Sequence, residues 1–148
     1  MKVVFASDHA GFLLKESLIK FVTGLGHEVE DFGAHALESG DDYPDFISLA
    51  AKHIAAHPDD RAIILGGSGE GEAMAANRFK GVRATVYYGG NEDIIKLSRE
   101  HNDANVLSLG ARFLAGDDAM HAVELWLNTA FSEDERHARR IAKLDQTN

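Results

Sequence analysis

The chain has no cysteine among its 148 residues. Disulfides, thiolate nucleophiles and cysteine metal sites are excluded together. No apolar run approaches the roughly 20 residues that a membrane-spanning helix needs. Positive charge is in the minority, with 15 Lys and Arg against 24 Asp and Glu and a formal net charge of −9. That argues against a general affinity for nucleic acid or anionic membrane, so an anionic substrate would need a local basic cluster. The first residues, MKVVFASDHAG, carry one lysine, a short apolar run and no small-x-small cleavage pattern. They read as a first strand rather than a secretory signal, and the expected compartment is the cytoplasm.

What is present is enough for one core: 45% of residues are hydrophobic, and the length suits a single domain spanning 1–148. Short β-like runs alternate with amphipathic helical runs. KVVFAS (2–7), HEVEDFG (27–33), AIILGG (62–67), VRATVYY (82–88) and NVLSLG (105–110) read as strands. FLLKESLIKFVTGLG (12–26), DYPDFISLAAKHIAAH (42–57), EAMAANRF (72–79), NEDIIKLSREH (91–101) and DDAMHAVELWLNTAF (117–131) read as helices. Pro44 sits in a first turn, where its missing N–H costs nothing, and Asn91 is an expected N-cap. A last polar helix, about 132–145, opens on Ser132 with Glu135 at capping-box spacing. Strict β-α alternation predicts an α/β fold, a Rossmann-like three-layer α/β/α sandwich with a five-stranded, mostly parallel sheet. Strand order is not encoded in these patterns.

In such sheets, sites form beyond the carboxyl ends of the strands. Those ends read SDHAG, GGSGEGE and LGARF, polar or glycine-rich against apolar strand bodies. Asp8 and His9 close the first strand, Gly66 to Glu72 follow the third, and Arg112 follows the fifth. His101 and Asn102 lie just before the fifth. These residues are expected to assemble into one site.

Each piece has a plainer reading beside the functional one. GGSGEG is either a tight β–α turn or a row of backbone N–H groups able to hold an oxyanion at a helix start. It is a poor dinucleotide fingerprint, because it follows the third strand, and no GK[ST] is present for a P-loop. SDHAG is either a turn in which Ser7 or Asp8 caps the first helix, or a carboxylate–imidazole pair. His101 either complements a helix C-terminus or acts as a general acid or base. ERHARRIAK is either a solvated basic helix or a phosphate grip, since Arg136 and Arg140 share one helix face. The scattered histidines show no metal-ligand spacing, so no metal is expected. A Ser68–His101–Asp8 triad lacks the G-x-S-x-G context.

The blocks ASDHAGFLLKE, DYPDF, GGSGEGEAMAANRFKGVRA, REHNDANVLSLGAR and RHARRI occur in that order. Together they resemble the ribose-5-phosphate isomerase B family, which includes the subunits of galactose-6-phosphate isomerase. The resemblance covers essentially the whole chain. It implies an aldose–ketose isomerase of phosphorylated sugars that uses neither cofactor nor metal and works as a dimer or dimer of dimers with sites at the subunit interface. By resemblance, Asp8 and His9 contact the sugar, and Gly67, Ser68, Gly69, Glu70 and Gly71 form the anion hole. Glu72 is the base, and His101 assists ring opening with Asn102 beside it. Arg112, Arg136 and Arg140 hold the phosphate, the last two from the partner subunit, on which helix 132–145 packs. Many members place a cysteine base at the position of Gly66. This chain resembles instead the branch with a GGSGxGE loop, where the glutamate takes over. Ribose 5-phosphate is the expected substrate. Allose 6-phosphate, galactose 6-phosphate or a tetrose phosphate is the alternative, as is a sugar-phosphate-binding module without activity. A nucleotide-binding domain is disfavoured, because Glu70 and Glu72 would repel a phosphate in the loop.

Overall fold

The computed structural model describes residues 1–147. Five strands and six helices follow one another as β1 (Lys2–Ser7), α1 (Phe12–Gly24), β2 (Glu28–Asp31), α2 (Tyr43–Ala56), β3 (Arg61–Gly66), α3 (Glu70–Ala76), β4 (Ala84–Tyr87), α4 (Asp93–Glu100), β5 (Val106–Gly110), α5 (Gly116–Asn128) and α6 (Glu135–Leu144). The strands form one sheet in the order β2-β1-β3-β5-β4. Every neighbouring pair is parallel.

Period-two alternation sorts the strand residues between two cores. Val3, Phe5, Ile63, Leu65, Leu107 and Leu109 face Leu18, Val22, Ile95, Val123 and Trp126 of α1, α4 and α5. Val4, Ala6, Ala62, Ile64 and Val106 face Ile47, Ala50, Ala51, Ile54 and Ala76 of α2 and α3. Because both faces are covered, β1 and β3 carry continuous apolar runs over 3–6 and 62–65, and Ser108 alone interrupts that of β5. Each fully buried Leu, Ile or Val contributes about 1.5–3 kcal/mol of burial free energy. The edge strand β2 carries Glu28, Glu30 and Asp31, which discourages pairing with another sheet. No helix among the described residues is long and apolar enough to cross a membrane.

Three helix starts differ from expectation. The chain turns at Gly69, where φ is +82°, so α3 begins at Glu70 rather than Glu72. Ser132 does not cap α6. Glu133 adopts φ of +58°, which a helix cannot accommodate, and the helix starts after Asp134, whose carboxylate accepts the Arg136 N–H at 3.0 Å. Glu92 takes the N-cap position of α4, although the Asn91 side chain still accepts the Asp93 N–H at 2.9 Å.

The strand order creates a crevice between β1 and β3. After β1 the chain crosses to the face of α1, and after β3 it crosses to the opposite face, with α3. Their carboxyl ends therefore diverge and leave a cleft, where ligands bind in open α/β sheets.

Candidate active site

Glu72 lies in the first turn of α3 and is 4% exposed, while Glu70 on the same turn is open to solvent. Residues two apart on a helix differ by about 200°, which separates them. Burial pushes the Glu72 carboxyl above the ordinary carboxylate range; the Asp8 charge adds to this, and the N–H groups of Glu72 and Gly69 oppose it. Its carboxyl group occupies the space beside Gly66 so closely that a Cβ there would overlap it.

The loop from Gly66 to Gly71 is pinned from several directions. Ser108, in the middle of β5, donates to the Gly69 carbonyl at 2.6 Å. The N–H groups of Ala111 and Arg112 donate to the carbonyls of Gly66 and Gly67 at 2.9 and 3.1 Å. The Arg112 guanidinium lies against Gly67, and the Tyr43 ring and hydroxyl lie against Gly71. Ser68 Oγ accepts the Glu70 N–H at 3.3 Å.

Across the crevice, Asp8 is buried and accepts the Ala10 N–H at 2.9 Å. It thus folds the turn ahead of α1, whose N-cap position is Gly11. His9 Nδ1 lies 2.6 Å from Asp41 Oδ1, which also accepts the His9 N–H at 3.0 Å. The other Asp41 oxygen is buried without a hydrogen-bond partner. Loop 32–42, which brings Asp41 here, is anchored by Lys15. That fully buried ammonium donates to Asp31 at 2.6 and 2.7 Å and to the Ala34 carbonyl at 2.7 Å. Donor atoms of Asp8, His9 and Asp41 lie within 4.8 Å of one another, a spacing that admits a cation. The short His9–Asp41 bond is the dominant contact within the trio and leaves His9 Nε2 free for a hydroxyl.

His101 and Asn102 are elsewhere. Helix α4 runs back from the end of β4, so its C-terminus reaches the amino edge of the sheet. There the Arg83 Nε–H, just before β4, donates to the carbonyls of Asn102 and Asp103 at 3.1 and 2.9 Å. The length of β5 separates this edge from Arg112, roughly 15 Å at about 3.3 Å per residue. Helix α6 lies at the same amino edge. The Asp145 carboxylate beyond it accepts the Gly81 N–H at 3.0 Å, and the Ser132 N–H before it donates to the Glu100 carbonyl at 3.2 Å. Arg136 and Arg140 are exposed there. The expected meeting of His101 and Asn102 with Asp8, Glu72 and Arg112 does not occur within one chain. Asp8, His9, the 67–72 loop and Arg112 lie together at the carboxyl edge, and His101, Asn102, Arg136 and Arg140 lie together at the amino edge.

Sequence reasoning missed Asp41, Tyr43 and Ser108. Tyr43 stood within a block already singled out, and Ser108 is a lone polar residue in an apolar strand. Asp41 gave no local signal.

The fold is that of an α/β enzyme, and its switch-point crevice brings together a buried carboxylate, a loop of backbone N–H groups and a histidine–carboxylate pair, groups able to move a proton and hold a negative charge. The chain belongs to the Ribose/Galactose Isomerase family, whose model matches residues 3–144. It is 40% identical over 141 residues to the ribose-5-phosphate isomerase B of Mycolicibacterium paratuberculosis, covering 95% of this chain and 87% of that protein. It is 37% identical over 140 residues to that of Escherichia coli, covering 95% and 91%. The ribose-5-phosphate isomerase B of Mycoplasma genitalium, solved with bound ribulose-5-phosphate, matches with a TM-score of 0.93 at 35% identity, over 99% of this chain and 95% of that one.

Proposed function

We propose that this chain is a ribose-5-phosphate isomerase, interconverting ribose 5-phosphate and ribulose 5-phosphate through a cis-enediolate, with Glu72 as the base. The observation that carries the base assignment is the overlap between the Glu72 carboxyl and the space of any side chain at position 66. Glycine at 66 and glutamate at 72 are a single choice, and together they bring one carboxylate to the reacting carbons.

The chemistry then follows from the crevice. After ring opening, Glu72 takes the proton from C2 of the aldose and returns it to C1, while the hydroxyl proton on O2 passes to O1 in the enediolate, so that C2 becomes the carbonyl and C1 the alcohol. The N–H groups of Gly67 to Gly71 hold the oxygen on which charge develops. A base with a raised pKa is better matched to a weak carbon acid, and burial supplies that rise. His9, oriented by Asp41, and Asp8 engage the sugar hydroxyls. These steps need neither metal nor cofactor.

Arg136 and Arg140, which grip the phosphate with Arg112 of the first copy, and the ring-opening His101 come from a second copy. In this reading the amino edge of one subunit meets the carboxyl edge of its partner, giving a homodimer or dimer of dimers with shared sites. Helix α6, which leaves Arg136, Arg139 and Arg140 exposed, supports this arrangement. So does a groove of about 460 Å³ beside it, lined by Phe79, Val82, Ala84, Ala104 and Leu144 among others. Phosphorylated sugars are charged and held inside cells, so the same reading places the enzyme in the cytoplasm.

A coupled assay with ribose 5-phosphate, allose 6-phosphate, galactose 6-phosphate and a tetrose phosphate tests this reading. The expected result is the highest kcat/KM for ribose 5-phosphate. Faster turnover of another phosphosugar would reassign the substrate, and binding without turnover of any would make the chain a sugar-phosphate-binding module.

A further inference from the structure

His137 is the buried residue of α6, 6% exposed on an otherwise open helix. Its ring lies nearly flat on the ring of His101, with centroids 4.2 Å apart and planes 17° from parallel. His101 closes α4, where its N–H donates to the Leu97 carbonyl at 2.9 Å. The stack thus joins the end of one helix to the first turn of another. Arg136 precedes His137, and Arg140 follows one turn later on the same helix.

We infer that His137 is a positioning residue: its stack on His101 fixes that ring and sets the Arg136–Arg140 pair at a constant distance from it. The acid–base group and the phosphate clamp then reach a substrate as one rigid unit. The inference rests on the proposed isomerase reading, in which His101 acts in ring opening. Charge balance supports it. Burial holds the His137 imidazole below its ordinary range, His101, Arg136 and Arg140 push it the same way, and Asp134 opposes them. A neutral His137 can lie against a His101 that carries the proton, whereas two imidazolium rings at this separation repel. The stack weakens as pH falls, because protonating His137 is then forced against that cost.

The test uses the full-length enzyme and the variants His137→Ala, His137→Phe and His101→Asn. Ribose 5-phosphate is mostly cyclic. Ribulose 5-phosphate cannot close a furanose, because its O5 carries the phosphate, so its conversion begins without ring opening. His137→Ala is expected to lower kcat/KM for ribose 5-phosphate by about tenfold to a hundredfold, the scale of a misplaced catalytic group. It should lower kcat for ribulose 5-phosphate less, and raise KM in both directions. His137→Phe keeps a flat ring and should restore most of the loss. In proton NMR the ring signals of His101, identified by their loss in His101→Asn, should shift in His137→Ala, because the ring current of the stacked imidazole is lost, and should shift less in His137→Phe. Wild-type kinetics in His137→Ala, or equal impairment in the alanine and phenylalanine variants, would overturn the inference. Should His137→Ala not fold, His137→Gln replaces it as the ringless variant, with the same two outcomes. If the wild-type enzyme does not turn over ribose 5-phosphate, the isomerase reading fails instead, and the His101 ring signals still report whether the stack holds.

Discussion

At the carboxyl edge of the sheet the candidate residues are buried and tied down. Glu72 and Asp8 are shielded, His9 is bonded to Asp41, and the glycine loop is fastened to β5 through Ser108, Ala111 and Arg112. At the amino edge Arg136, Arg140 and Asn102 stand in solvent, and one ring stack and two end bonds hold α6. Preorganisation suits groups that meet developing charge. Exposed arginines suit a surface completed by a second copy. In the proposed reading, the tight edge does the carbon chemistry and the open edge delivers the phosphate grip.

The largest expected effect falls at the tight edge. Glu72→Gln should cut kcat by about 10²–10⁴-fold, the range for losing a positioned base, while phosphosugar binding persists; steady-state rates and calorimetry check both. The pH dependence follows from the same carboxyl. A raised pKa places the acid limb of kcat/KM above the ordinary carboxylate range, with activity rising as Glu72 ionises. It also means that the ionised form is penalised in the folded protein. Glu72→Gln should therefore raise Tm at neutral pH. That gain should shrink as pH falls through the folded-state pKa and vanish below the ordinary glutamate value of about 4.3. A Tm gain that persists in acid would contradict the burial account.

Gly66→Ala should come next, with roughly a hundredfold loss of kcat, because the added methyl displaces the carboxylate by an ångström or more. Turnover near wild type would show that the carboxyl does not need that space. At the open edge, Arg136→Ala and Arg140→Ala should act mainly on KM, by about tenfold to a hundredfold each, as expected when one charge-assisted contact of roughly 1.5–3 kcal/mol is lost. A change in kcat alone would move these arginines from binding to chemistry.

The fold was largely legible because hydrophobic period reports burial directly: the continuous apolar run 62–66 is a strand covered on both faces, and the 3.6-residue stripe of Leu14, Leu18, Phe21 and Val22 is the inner face of α1. The opposite burial of Glu70 and Glu72 follows from their spacing, though not which one turns inward. Strand order, and with it the switch-point crevice, is a tertiary choice that no local pattern records. The same holds for Asp41, which meets His9 from 32 positions away. His101 was placed with Arg112 because both flank β5 in sequence, yet a strand is a rod with two ends. Sequence adjacency across it means separation, not contact.

That separation makes a direct test of the central claim, that each site joins the carboxyl edge of one subunit to the amino edge of another. Glu72→Gln and the double variant Arg136→Ala/Arg140→Ala, both of low activity when ribose 5-phosphate is held well below the wild-type KM, are unfolded together in equal amounts, refolded and assayed under that condition. A mixed dimer would carry one site with both edges intact, so random pairing predicts recovery of roughly a quarter of wild-type activity. Activity in the refolded mixture no greater than the average of the two variants alone would contradict the account and place the whole site within a single chain.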